Sequence, residues 1–158
     1  MKKTNVLIKI GHKTTSFIVT DGNRVVFWDA VTAGEWHIIN DVSQCLRVKF
    51  NDAEQLTKAK DVCLSKAVGI KEDNVIAEII EARLEQIFQQ IKEQLQTKEM
   101  FDNVKEYFIT KDDNYIPSMD LLLKRVMDSA VKTVALNSIS IKAKPLKNQI
   151  ADLLDSYF

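Results

Sequence analysis

The chain has 158 residues, 46% of them hydrophobic and 28% charged, with 22 Lys and Arg balanced by 22 Asp and Glu. That length suits one domain with a full hydrophobic core, and four Gly, two Pro and two Cys exclude collagen-like, low-complexity and disulfide-scaffold classes. A net charge of zero removes any whole-domain attraction to nucleic acid or anionic lipid, and no apolar run approaches the roughly 20 residues of a membrane-spanning helix.

From residue 6 to 32 the hydrophobic period is two. Val6-Leu7-Ile8-Lys9-Ile10 is a buried strand, Gly11-His12-Lys13 a break, and residues 14–20 a β-branched and aromatic strand. Asp21-Gly22-Asn23 is a hairpin turn in which Gly22 supplies the positive φ, and Arg24-Val25-Val26-Phe27-Trp28 returns antiparallel. After Gly34 the period becomes helical, with Trp36, Ile39, Val42, Leu46 and then Phe50 three or four residues apart. Asn51 or Asp52 is expected to cap a second helix that runs through Leu56 and Val62 to about Ala67 and ends at Gly69. The strongest element lies between Asn74 and about Lys98. There Val75, Ile76, Ile79, Ile80, Leu84, Ile87, Phe88, Ile91 and Leu95 form an apolar face, opposite Glu78, Glu81, Glu85, Gln89, Lys92 and Glu93. Such a helix must pack on a sheet. Residues 107–110 make a strand, 111–115 a polar turn, 116–118 the entry to a helix over 119–128, and 131–135 a short strand. A closing helix over 146–157 carries Ile150, Leu153, Leu154 and Tyr157 on one side. The order βββ, αα, long α, β, α, β, α predicts an α/β fold, a mixed sheet with an antiparallel three-stranded start and helices on both faces.

Few residues suggest chemistry. Cys45 and Cys63 lie 18 apart with no ligand spacing around them, so buried free thiols are expected, with no zinc site or redox pair, and a reducing cytoplasm follows. His12 and His37 have no triad partner, so no catalytic residue and no metal ligand is assigned. Trp28, Trp36, Phe27 and Phe50 are assigned to core and subdomain packing, since their spacing matches no nucleic-acid motif. The turn Gly11 to Ser16 can offer backbone N–H groups and hydroxyls to a phosphate, although a plain hairpin with one Gly explains it more simply. The segment from Ile109 to Pro117 leaves a strand and enters a helix, where open α/β sheets bind ligands. Its Asp112 and Asp113 fit either a cation site or, more commonly, a solvated turn. Charge is uneven: residues 42–71 hold six basic against three acidic residues, net +3, and residues 72–103 hold three against eight, net −5. The first region suits an acidic peptide, or is simply two exposed helical faces.

Five segments, in this order, resemble the second half of the bacterial cell-division actin homologue FtsA. They are Ile10-Gly11-His12-Lys13-Thr14-Thr15-Ser16, Gly34-Glu35-Trp36-His37-Ile38-Ile39-Asn40-Asp41-Val42, Leu46-Arg47 with Asp52-Ala53-Glu54, Ile79-Ile80-Glu81-Ala82-Arg83-Leu84-Glu85, and Phe108-Ile109-Thr110 through Asn114-Tyr115-Ile116-Pro117. The resemblance spans nearly the whole chain. It implies the second half of an actin-like (ribonuclease H-like) fold. Residues 1–33 and 70–158 would form the main sheet subdomain, with 34–69 a smaller helical one inserted between them. A fragment of a longer protein is then expected, whose remainder would supply the family's first half and its membrane-targeting amphipathic helix.

The family binds ATP and magnesium between two halves, but its motifs are altered here. Its second phosphate loop, approximately Asp-Ile-Gly-Gly-Gly-Thr-Thr-Asp, becomes Lys9-Ile10-Gly11-His12-Lys13-Thr14-Thr15-Ser16, and the glycines after Thr110 become Lys111-Asp112-Asp113. Gly11, Thr14, Thr15, Thr110 and Lys111 therefore form a degenerate nucleotide site, without the magnesium ligand that phosphoryl transfer needs. ATP hydrolysis and a bound cofactor are not expected. The resemblance leaves an adaptor for the C-terminal tail of FtsZ, bound by the helical subdomain. Arg47, Lys49, Lys58 and Lys60, chosen from the charge pattern, form its basic rim. Self-association and contacts with other division proteins are further implications, with membrane contact only indirect and the cytoplasmic side of the division site as location. The alternatives are half of an actin-superfamily ATPase or kinase that binds ATP with its other half, and a pilus-assembly actin homologue.

Overall fold

The computed structural model describes residues 3–22, 24–59, 74–112 and 114–135. Three strands, β1 (Thr4–Ile10), β2 (Thr15–Asp21) and β3 (Arg24–Val31), open the fold. They are followed by α1 (Glu35–Leu46), α2 (Phe50–Thr57), α3 (Val75–Thr97), β4 (Val104–Thr110), α4 (Met119–Met127) and β5 (Val131–Val134). The sheet has the order β3-β2-β1-β4-β5, antiparallel from β3 to β1 and parallel from β1 to β5. Hairpins suffice for the first half, whereas each parallel neighbour needs a helical crossover, through α3 and then α4. This is the mixed α/β architecture that the sequence pattern predicts.

Alternation sets the register. Val6 pairs with Val19 and Tyr107, and Ile8 with Phe17 and Ile109, so six strand positions stack on one face. Ile80, Leu84, Ile87, Phe88, Ile91 and Leu95 of α3 are fully buried against the same core, each contributing about 1.5–3 kcal/mol. Ile38, Ile39 and Val42 of α1, Ala53 of α2 and Met119 to Met127 of α4 continue the cluster without a break. On the opposite face Trp28, Ile18, Leu7 and Phe108 form one row across four strands. The predicted closing helix over 146–157 lies outside the described residues.

Several details depart from expectation. The N-cap of α2 is Lys49, not Asn51 or Asp52, which leaves Asp52 in the first turn, where its charge suits the helix dipole. The helix also stops at Thr57 instead of continuing. The Thr57 hydroxyl donates back to the Ala53 carbonyl at 2.8 Å, and the Lys58 N–H closes the last turn on Glu54. The remainder of that predicted helix, with Val62, Ala67 and Gly69, lies outside the described residues, as does Cys63. Cys45 is exposed, because in the last turn of α1 only Leu46 still packs on the core. Trp28 is 43% exposed, because among the described residues β3 is the outermost strand of the sheet. Val75, assigned to the apolar face of α3, is 55% exposed in its first turn, whereas Glu81, assigned to the polar face, is only 3% exposed. Packing between α1 and α4 buries a wider arc of α3 than one stripe, and Arg125 of α4 meets the Glu81 carboxylate at 3.4 Å.

Candidate functional site

The turn between β1 and β2 is held to the start of α1. Within it the Gly11 N–H donates to the Thr14 carbonyl at 2.8 Å. The carbonyls of Gly11 and His12 accept the N–H groups of Glu35 and Trp36, at 2.8 and 2.7 Å. The first amides of α1, which a helix leaves unsatisfied, are thus capped by the turn. Gly34 makes the approach possible, since a Cβ there would press on the Gly11 carbonyl oxygen and lie 2.8 Å from that of His12. Its φ of −157° is ordinary extended backbone, so space, not conformation, requires glycine. The Gly34 N–H donates to Nδ1 of His37 at 3.0 Å, a bond that needs the neutral imidazole. Burial, and then the charge of Arg83, holds the His37 pKa below its usual value. Thr15 is fully buried, and its hydroxyl donates to the Ala33 carbonyl at 2.8 Å.

The loop between β4 and α4 lies beside this turn. The Asn114 side-chain amide donates to the Ile10 carbonyl at 3.0 Å and so ties the two loops together. Thr110 is buried, with its hydroxyl 3.3 Å from one carboxylate oxygen of Asp112, while the other accepts the Asn114 N–H at 2.9 Å. Oδ1 of Asp112 thus closes an Asx turn and Oδ2 receives the Thr110 hydroxyl; Asp113 lies outside the described residues. Lys111 is exposed, its ammonium 5.7 Å from the Tyr115 ring centroid. The Tyr115 hydroxyl donates to Asp120 at 2.8 Å, and burial, then that bond, raises its pKa. Among the described residues, no three His, Cys, Asp or Glu side chains gather as a metal site.

Between this loop and the helices opens a cleft of about 360 Å³, lined by Glu35, Ile38, Lys58, Asn114, Tyr115 and Pro117 among others. The Lys58 ammonium stands 3.5 Å from Glu35 and 3.7 Å from Glu54. Arg47 ends α1 in the left-handed region, at φ 56°, and Lys49 caps α2; both are exposed. The predicted basic rim is therefore divided, with Arg47 and Lys49 at one end of α2 and Lys58 at the other, roughly 12 Å away along the helix. Lys60 lies outside the described residues. Gly11, Thr14, Thr15, Thr110 and Lys111, by contrast, come together at the ends of β1, β2 and β4.

Sequence reasoning missed the ion pair that anchors α1 to α3. Arg83 donates from Nε and Nη2 to the two oxygens of Asp41, at 2.6 and 2.8 Å. That bidentate bond raises the Arg83 pKa. Each residue reads locally as one more charge on a polar face, and only their meeting across 42 positions distinguishes them.

The model of the family "Cell division protein FtsA" matches residues 6–154. The chain belongs to the FtsA family. No curated protein matches the sequence. Among solved structures, MreB 5 of Spiroplasma citri bound to AMPPNP is similar, at 14% identity and a TM-score of 0.69 over 99% of this chain and 55% of that one. A PilM-PilN type IV pilus biogenesis complex is similar at 12% identity and a TM-score of 0.66, over 84% of this chain and 36% of that one. Ta0583, an archaeal actin homolog, follows at 12% identity and a TM-score of 0.59, over 96% and 49%. At these identities the likeness shows the fold: this FtsA-family chain has half of an actin-like fold and spans 55%, 36% and 49% of these three structures.

Proposed function

We propose that this FtsA-family chain is a cell-division adaptor module that captures the acidic and apolar C-terminal tail of FtsZ on α1 and α2. One observation carries the reading. Arg47 and Lys49 are exposed, have no carboxylate partner among the described residues, and flank Val48, a half-buried apolar residue next to Phe50. The turn that displays them is fixed, with the Ser43 hydroxyl donating to the Val48 carbonyl at 2.7 Å and the Val48 N–H returning to the Ser43 carbonyl. Cations around an apolar step on a rigid turn complement a short acidic segment that folds on binding. Lys58 contributes less, because Glu35 and Glu54 already neutralise it.

The degenerate nucleotide motifs are part of the same proposal. The Gly11 amide, the Thr15 hydroxyl and the first amides of α1 hold internal bonds that a phosphate would have to displace. The protein would work on the cytoplasmic side of the membrane, with membrane contact and self-association supplied by other parts of a longer protein. A labelled FtsZ tail peptide tests the reading by fluorescence polarisation. Arg47→Glu with Lys49→Glu weakens binding at least about tenfold, equivalent to 1.4 kcal/mol, and added salt weakens the parent. Unchanged affinity in the double variant rejects this surface. A second reading, ATP binding shared with a first half, draws on the cleft of about 360 Å³ beside the Thr110 loop. Titration calorimetry of the full-length protein with Mg-ATP separates the two, since tight, magnesium-dependent binding favours the second.

A further inference from the structure

Two aromatic rings stand side by side where α1 begins and α2 begins. The ring centroids of Trp36 and Phe50 are 6.0 Å apart, with the planes tilted by 30°. His37 meets the Trp36 ring edge-on at 5.2 Å. The Trp36 N–H is bonded to the His12 carbonyl at 2.7 Å, so this residue is held through its backbone as well as its ring. Ile38 and Ile39, which follow on α1, are buried, whereas Trp36 and Phe50 are only half-buried.

Cations stand at both ends of this pair. Lys13, exposed in the β1–β2 turn, holds its ammonium 5.7 Å from the Trp36 centroid. At the other end Lys49 caps α2 directly before Phe50, and Arg47 lies two residues earlier. None of the three has a carboxylate partner among the described residues. A ring face occupies one side of an ammonium and leaves it N–H donors for an anion. The two carboxylates of α1 do not compete for these cations, because Arg83 holds Asp41 and Lys58 stands 3.5 Å from Glu35. A complementary segment has acidic residues at its two ends and apolar residues between them.

We propose that the tail captured at the Arg47–Lys49 turn extends over Phe50 and Trp36 to Lys13. An apolar side chain lies against the ring pair, and a second acidic one meets the Lys13 ammonium. This inference rests on the tail capture proposed above and adds its path: Trp36 and Phe50 select apolar content, and Lys13 selects a second acidic group apart from the first. Rings that are already fixed need little further ordering on binding, which favours affinity.

Trp36 supplies its own probe. The chain has two tryptophans, so in a Trp28→Phe background Trp36 alone emits. An FtsZ tail peptide is titrated into that protein while Trp36 emission and the polarisation of labelled peptide are followed together. Emission is expected to shift to shorter wavelength with the same midpoint as polarisation. Lys13→Glu, a change at an exposed position, is expected to weaken binding about fivefold, and a peptide with serine at its apolar positions at least about tenfold. If Arg47→Glu with Lys49→Glu weakens binding but Trp36 emission does not move, or Lys13→Glu binds like the parent, the path is wrong and capture at the turn stands. If the peptide does not bind, or the Arg47 and Lys49 double variant binds like the parent, capture itself fails and the path with it.

Discussion

Replacing Gly34 with alanine tests how the two halves of the site are joined. The new Cβ would press on the Gly11 carbonyl oxygen and lie 2.8 and 2.9 Å from the oxygen and carbon of the His12 carbonyl. These are backbone atoms, so the β1–β2 turn and the start of α1 must separate. The bonds from Glu35 and Trp36 to Gly11 and His12, now 2.8 and 2.7 Å long, stretch or break. Two such bonds are worth about 1 kcal/mol each, and overpacking adds about 1–3 kcal/mol, about 3–5 kcal/mol together; relaxation of the turn recovers part of this, so a net loss of about 2–4 kcal/mol is expected. At about 2–4 °C per kcal/mol for a domain of this size, Tm falls by roughly 5–15 °C. Gly22→Ala is the control. Gly22 has a φ of +59° but open space around its Cβ position, so its replacement costs about 1 kcal/mol of backbone strain. Urea unfolding gives both losses, and hydrogen exchange reports the Glu35 and Trp36 amides. If Gly34→Ala proves no worse than Gly22→Ala, or if those two amides keep their protection, the close approach is not what holds the site.

Acid should weaken the fold through His37. Its folded pKa lies below the unfolded 6.5, chiefly through burial, with Arg83, Lys13 and His12 lowering it further and Asp41 opposing them. As pH falls below 6.5 the unfolded chain takes up a proton that the folded one refuses, so stability present above 6.5 is lost progressively down to the folded pKa. His37→Gln keeps an acceptor for Gly34 without titrating; urea midpoints measured from pH 8 to 5 should flatten in that variant, and parallel curves would contradict the assignment. Arg125→Met should cost about 1–2 kcal/mol, reduced from the value for a fully buried pair because Arg125 is 44% exposed. Glu81, whose Oε2 has no hydrogen-bond partner among the described residues, would be left as a buried carboxylate. Adding Glu81→Leu should restore most of that loss in chemical denaturation, and a double variant no more stable than Arg125→Met would show that the buried charge is not the cause.

Much of the fold was legible because hydrophobic period is a local property. Asn74 marked the start of α3, and its side chain does accept the Ala77 N–H at 3.1 Å. The change of period at Gly34 likewise marked α1. Errors arose where the burying partner comes from a distant segment. Glu81 seemed polar because its helical neighbours gave no sign of Arg125, and Trp28 seemed a core residue because the pattern does not tell an edge strand from a central one. The site was legible as two loops. That Asn114 would tie one to the other through the Ile10 carbonyl was not, since those residues lie 104 apart.

The chain by itself determined its elements, its mixed sheet and its family, because alternation, helical period and ordered short motifs are written in neighbouring residues. Tertiary structure alone decided that the amides of Glu35 and Trp36 cap onto Gly11 and His12, that Lys58 is held by Glu35, and that Arg83 meets Asp41. Each depends on which distant groups meet across the folded core, and meeting is a matter of geometry that no local pattern encodes.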